Sequence, residues 1–434
     1  MRPSPSPSSS LTDVHQEESL LSRVELFSCT KQYLYLLSLL ILVFLISLFL
    51  HYQNYKEFTK FDDFITTALV EKQYKKKNYT VLKLQAENFS FYTSSKEKLK
   101  SLEGSKIRVR VFDTQKIGFL DYLKGFYATT ALLSNLYEKK PRYRLMQELS
   151  TVHKEPSASL FKALFFAGSI PKGTRDKLSG LGVNHLLAIS GFHLAVLSFI
   201  LFFIIKLFYK PLVGRFFPYR NSHKDIAMVV FLLLFAYLYF LNFVPSLLRA
   251  FAMSVFAYFL YDRGLKIVSF SSLFLVVSFL LALWPKLLFA LGFWFSVMGV
   301  LQIFLFLHYM KNLKVWQSFI LLHFWVYLAM LPLVHYFFGV FSVEQLFSPL
   351  LTMLFILFYP LELFLHVIGE GASLDFVLEY LLSLKLNSIE LFTNIWVLLT
   401  YLILMILAIF KKFFFYALFI FNLGFFGYLL NGIA

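Results

Sequence analysis

From residue 185 onward the chain is almost continuous apolar runs separated by short polar breaks. Runs of this length read as membrane helices. They predict spans over about 185–205, 226–243, 246–261, 268–284, 287–309, 316–338, 344–366, 390–410 and 413–430. An earlier run at 33–50 is long enough to cross about 30 Å of hydrocarbon. It lacks a small-residue cleavage site and reads as a retained anchor.

The pattern changes between the anchor and residue 185. In 79–84, Thr80, Leu82 and Leu84 share one face, and in 106–111 Ile107, Val109 and Val111 point in while Arg108 and Arg110 point out. Gly104-Ser105 supplies the turn before the second piece. A small β-barrel of the OB type fits such strands. Over 120–137 and 157–167 the pattern predicts amphipathic helices, broken at Pro156, Pro171 and Gly173. Residues 1–31, rich in Pro and Ser, have the composition of a disordered tail.

The expected fold class is therefore a polytopic α-helical membrane protein of about 9–11 transmembrane segments with a small extracytoplasmic OB-like β domain. Its parts are a cytoplasmic tail (1–31), a first helix (32–51), a basic OB-like domain (55–116), interfacial helices (117–180) and a multi-helix domain (181–434). Composition agrees, with 58% hydrophobic and only 15% charged residues, against about 25% charged in soluble domains. One cysteine, Cys29, excludes an internal disulfide.

Charge refines the picture. The net charge is +16, and segment 56–116 holds 14 Lys/Arg against 8 Asp/Glu. Basic loops at 206–224, 263–266 and 311–314 alternate as cytoplasmic loops should, which puts the 56–116 domain on the outside. Cations there point to a polyanionic ligand. Lys75, Lys76, Lys77, Lys83, Arg108 and Arg110 are its candidate contacts to such a ligand, with Tyr79, Phe89, Phe91 and Tyr92 as stacking residues or barrel core. Beyond 366 the count loses parity, because 367–390 is acidic while Lys411-Lys412 calls for the cytoplasm. A re-entrant or interfacial segment near 370–386 would restore it.

Polar residues at the start of an apolar helix are expensive unless they face protein, water or substrate. His185, Ser190, Gly191 and His193 stand there. They fit a polar constriction on a translocation path, an intramembrane serine hydrolase using Ser190, or helix–helix hydrogen bonds. For the hydrolase, His308, His323, His335 and His366 are all eligible bases, and no spacing selects one. In 242–250, Pro245 and Ser246 open a helix and Arg249 lies one turn inside it, either snorkelling or facing a cavity where a guanidinium suits phosphate. Asn242 precedes that turn. The sequence has no His-x-His pair, no cluster with metal-ligand spacing and no P-loop, so no metal and no cofactor is expected.

The block His185-Leu-Leu-Ala-Ile-Ser-Gly-Phe-His193 resembles the His-Leu-Leu-Ala-Ile-Ser-Gly-(Leu/Phe)-His block of the ComEC family, the inner-membrane DNA channels of natural transformation. Arg249-Ala250 with Met253, Trp284-Pro285 with 291–296, and Leu331-Pro332 with Phe337-Phe-Gly339 are similar to further landmarks of that family. Phe295 stands where the family usually has Leu, and Phe347-Ser-Pro349 departs from its Asn-Leu. The resemblance implies a multi-pass protein of the cell inner membrane that passes single-stranded DNA into the cytoplasm. His185, Ser190, Gly191, His193, Asn242 and Arg249 would line or shape the path.

It also implies partners: DNA, membrane lipid, a periplasmic DNA receptor, a cytoplasmic helicase-like motor and single-strand-binding proteins, with a homo-oligomer left open. Many members carry a C-terminal metallo-β-lactamase-like domain. Here the sequence stops at Ala434 after the last apolar run, so a short form is expected, a pore and not an enzyme. The alternatives are the Ser190 hydrolase and a small-solute transporter.

Overall fold

A computed structural model of the chain describes residues 30–76, 78–96, 102–136, 141–209, 211, 219–264 and 267–432. About 70% of it is helical, with one curled sheet. Helix α1 (Thr30–Phe58) runs directly into that sheet. Strand β1 (Asp63–Lys75) pairs through its first half with β4 (Lys106–Phe112) and through its second half with β2 (Thr80–Gln85). Strand β3 (Ser90–Ser95) pairs with β2 on one side and, in parallel, with β5 (Phe126–Tyr127) on the other. Helix α2 (Phe119–Lys124) leads into β5, and β6 (Thr130–Asn135) pairs with β4. The order is β5-β3-β2-β1-β4-β6.

The two outer strands, β5 and β6, are successive pieces of one segment. Thr129 and Ala128 between them bond to Phe112 and Tyr92 on opposite sides. The sheet is thereby curled around a core of Phe58, Phe89, Phe91, Ile107, Val109, Val111, Tyr122 and Phe126. Burying each large apolar side chain contributes about 1.5–3 kcal/mol. The helix expected over 120–137 is thus a six-residue helix followed by strand, and the β domain extends to 135, not 116. The physical reason lies in 126–135, where Thr129 and Thr130 favour extended backbone and Phe126 fills the barrel core.

Helices α3 (Pro141–Val152), α4 (Ser157–Phe166), α5 (Lys172–Gly180) and the single turn α6 (Asn184–Leu187) link the sheet to the bundle. The bundle comprises α7 (Gly191–Tyr209), α8 (Ser222–Phe240), α9 (Pro245–Asp262), α10 (Phe270–Leu283), α11 (Leu291–Tyr309) and α12 (Val315–Phe337). A small ribbon, β7 (Val340–Phe341) with β8 (Ile389–Glu390), brackets α13 (Ser348–Ile368) and α14 (Asp375–Ser383). Helices α15 (Ile395–Phe410) and α16 (Lys412–Asn431) follow. Among the described residues, seven helices are long and apolar enough to cross a membrane: α1, α7, α8, α11, α12, the segment containing α13, and α16. Helices α4, α10 and α15 are apolar but shorter. Outward side chains such as Phe199, 72% exposed, suit lipid and not water.

Contacts at the helix ends give the bundle two distinct ends. Helix α10 runs parallel to α1, with Tyr33 stacked on Phe274 at one end and Ser47 donating to the Leu283 carbonyl near the other. The barrel end therefore holds residues 284–292 as well as 58–63. At the far end Tyr209 bonds Asp225, Lys224 pairs with Asp262, and Tyr309 donates to the Ala408 carbonyl. Lys411 and Lys412 lie there too, with the basic loops expected in the cytoplasm.

Helix α13 bears on the lost parity. Its first residue, Ser348, donates to the Gly182 carbonyl beside the end of α12. Its last turn packs on Phe165, whose carbonyl accepts from Tyr237 near the end of α8. The segment expected to cross at 344–366 is long and apolar enough to do so, yet these contacts bring both its ends to the barrel end.

Candidate functional site at the barrel end of the bundle

Helix α7 begins at Gly191, not at 185, because Ala188 to Ser190 leave the helical path. Ser190 caps it, its carbonyl accepting the Leu194 N–H. The His193 side chain adds to that cap. Its Nδ1 accepts the Ser190 backbone N–H at 3.1 Å and lies 3.1 Å from Ser190 Oγ. This is one half of a capping box, the bond back to the N-cap N–H, with imidazole in place of the usual Glu or Gln. The ring proton consequently sits on Nε2. The imidazole is buried against Phe192, Phe355 and Tyr359, the last two from α13.

His185 lies outside the helix on α6 and is exposed, its Nε2 3.4 Å from Thr352 Oγ1. The two histidines do not share a regular helix, yet both face α13. Gly191 is not crowded, since a Cβ there would meet only Ala250 at 3.9 Å. The glycine that the packing requires is Gly182, with φ +69° and Ser348 closing on it.

Arg249 is the second feature. Asn242 and Phe243 both adopt left-handed backbone, φ 59° and 53°, a strained pair for non-glycine residues. They swing the chain from α8 into α9, which Pro245 opens. Arg249, one turn in, is only 7% exposed. Its guanidinium lies over the Phe293 ring at 5.8 Å, and a Cβ on Gly292 would stand 3.9 Å from Nη1. Among the described residues, its Nε has no hydrogen-bond partner and no carboxylate pairs with it. The first turns of α7, α9 and α11 meet here, through Gly191 against Ala250 and Arg249 against Gly292. Each helix start adds positive potential from unpaired N–H groups. A buried, unpaired guanidinium there costs several kcal/mol until an anion reaches it.

On the barrel, Lys83 pairs with Glu71 at 2.8 Å and Arg110 with Asp63 at 3.3 Å, while Arg108 is exposed. Burial alone would pull Lys83 down, but Glu71 outweighs it and holds the ammonium above its ordinary range. Burial and the cations Lys83 and Arg175 lower Lys72. The Lys75 backbone pairs with Thr80, Lys76 is exposed, and Lys77 falls outside the described residues. Of the candidate stacking residues, Phe89 and Phe91 are core. Tyr79 is exposed, and Tyr92 stacks on Tyr127 across β3 and β5 with an interplanar angle of 9°. Lys83 is directly opposite Tyr92 in the register, so cation and ring share the outer face.

Sequence reasoning missed residues that join the two regions. Lys286, after α10, donates to the Asn88 carbonyl and lies over Tyr122. Burial pushes it down to about 8. Arg142 donates to the carbonyls of Leu241 and Ala167 at 3.0 and 3.2 Å, tying α3 to the end of α8. Nothing in their local spacing marks either residue.

The structure is a largely helical protein whose long apolar helices could span a membrane, with a curled β domain at one end and a buried cation where three helix starts converge beneath it. The family model described as Competence protein matches residues 166–423, and the chain belongs to that family. The matched region contains His185, Ser190, His193 and Arg249. No curated protein matches the chain, and no solved structure does.

Proposed function

We propose that this protein conducts one strand of incoming DNA across the inner membrane during natural transformation. The family assigns a role in competence and DNA uptake. The observation that carries the finer reading is Arg249, a buried guanidinium without a carboxylate where three helix starts converge. A phosphodiester is an anion that such a site can coordinate through guanidinium and backbone N–H groups. Each phosphate leaves as the next arrives, so the site binds the backbone without regard to base.

The barrel acts upstream, outside the membrane. Its strand order supports an OB assignment, with one long β1 shared by two neighbours and the 126–135 segment closing β3 onto β4. Its Lys83, Tyr92 and Tyr127 face, with Arg108 exposed on β4 of the same sheet and Lys76 just past β1, suits a polyanion with stacked bases. A periplasmic receptor delivers DNA, a cytoplasmic helicase-like motor draws the strand, and single-strand-binding proteins receive it. The protein acts as a pore and not an enzyme.

The Ser190 hydroxyl lies 3.1 Å from an imidazole, which is the observation favouring a hydrolase. That nitrogen is Nδ1, already accepting the Ser190 N–H, and the other ring nitrogen is sealed. The pair therefore serves as a helix cap. The test is to follow labelled DNA in cells lacking the protein. DNA that reaches the periplasm but not the cytoplasm supports the channel, and normal cytoplasmic arrival overturns it.

A further inference from the structure

Outside the mouth, four titratable groups from three elements form one buried row. His153, which follows α3 and is 3% exposed, places Nδ1 3.0 Å from both Asp375 oxygens at the start of α14. Its Nε2 lies 3.0 Å from Nε2 of His366 on the last turn of α13. His366 Nδ1 is 2.8 Å from the Glu362 carbonyl and 3.3 Å from Glu362 Oε2. Glu362 is fully buried, and neither carboxylate oxygen has another partner among the described residues. Helix α4 contributes only rings, Phe161 at 4.5 Å from His153 and 4.9 Å from His366, with Phe165 alongside. Gly371 passes so close that a Cβ would lie 2.9 Å from the His366 ring. The charged groups acting on His366 are Glu362 and Asp375.

Hydrogen-bond bookkeeping shows what the row must hold. Three contacts, Asp375–His153, His153–His366 and His366–Glu362, each need a hydrogen between their heavy atoms. Two neutral imidazoles bring two. With both Nδ1 atoms donating to oxygens, two Nε2 lone pairs would face each other at hydrogen-bond distance with nothing between.

We propose that this row is a proton-binding site, holding one proton shared between His153 and His366 that fastens α13 and α14 to the α3–α4 corner. The two carboxylates balance that charge in an apolar surround. Both imidazoles are also oriented at Nδ1 as metal-bound histidines are. Among the described residues, however, no third His, Cys, Asp or Glu completes a coordination sphere, and rings close the remaining sides. Glu362 and His366 lie three and seven residues beyond Tyr359, on the same face of α13 that packs on His193. The fastened end of α13 thus sets how that helix lies against the mouth. The proton site does not depend on what passes there.

The sign follows from linkage. The closed row binds one proton more than an opened row above about pH 6.5, where free histidine is neutral. Between that pH and the one at which the closed row itself gives up its proton, rising pH favours opening by about ten-fold per unit, and above it the dependence ends. The test is ¹⁵N-histidine NMR of the full chain in lipid nanodiscs at pH 7.5, where exposed histidines are about ten parts neutral to one protonated. One hydrogen-bonded pair of an imidazolium and a neutral imidazole is expected, absent in both His153→Gln and His366→Gln. Asp375→Asn should shift its titration to lower pH without removing it. No such pair at pH 7.5, a pair unchanged in His153→Gln, or a pair that moves on adding EDTA would overturn the proposal, the last in favour of a metal.

Discussion

The barrel and the mouth of the bundle both carry cations, but they handle them in opposite ways. On the barrel Lys83 and Arg110 each have a carboxylate partner, and Arg108 is open to solvent. At the mouth Arg249 is buried and has no carboxylate partner among the described residues. Paired surface charges are worth little and mean little singly, with a median near 0–1 kcal/mol. An unpaired buried charge is expensive, and a protein that keeps one has a use for it. The density of Lys and Arg in a sequence is therefore a weaker pointer to function than one cation with no neighbour.

That contrast is sharpest at Arg249. Arg249→Gln should cut DNA entry into the cytoplasm by about 100-fold, the scale of losing about 3 kcal/mol of charge-assisted hydrogen bonding. The same substitution should raise thermal stability of the purified protein, because it removes a buried charge. A variant that loses both uptake and stability would mean that Arg249 is structural.

On the barrel the expected effects are smaller. Tyr92→Ala should weaken binding of a labelled single-stranded oligonucleotide by about ten-fold, within the range for one stacked base. Arg108→Gln should weaken it a few-fold and reduce the salt slope by about one unit, as loss of one phosphate contact does. Fluorescence anisotropy at several salt concentrations reads both.

At the start of α7 the cap can be separated from chemistry. His193→Ala should cost about 1 kcal/mol in thermal unfolding, while His193→Gln restores the bond back to the Ser190 N–H and most of that loss. Ser190→Ala should leave uptake within about two-fold, since the backbone N–H still caps through Nδ1. Abolished uptake in Ser190→Ala would revive the hydrolase.

Lys286, which joins the barrel to the bundle, is read through pH. Its ammonium titrates near 8 when folded and near 10.5 when unfolded. Between those values the unfolded chain binds more protons, so stability should rise with pH across that window. Lys286→Met should flatten that rise in a pH series of thermal unfolding.

Much of this was legible in the apolar pattern. The long helices, the inward Ile107, Val109 and Val111, and the Ser190–His193 block all stand where the sequence places them. Long apolar runs declare themselves because no other structure tolerates them. The strand at 126–135 was hidden because its pairing partners, Phe91 and Val111, lie far off in sequence. Helix α13 has the composition of a span, and only contacts from residues 165 and 182 show that both its ends come to the barrel end. The His153–His366 row spans 213 residues between its two rings, and no local spacing encodes it. Arg249 was visible, but its lack of a carboxylate is a property of the fold alone.

The central claim is that the strand passes Arg249. A photo-crosslinking residue at Ser246, one turn before it in α9, tests this in cells taking up labelled DNA. The account predicts covalent capture of single-stranded DNA at 246, lost with Arg249→Gln. Capture at barrel position 92 with none at 246, in cells that still import DNA, would contradict it and place the path elsewhere.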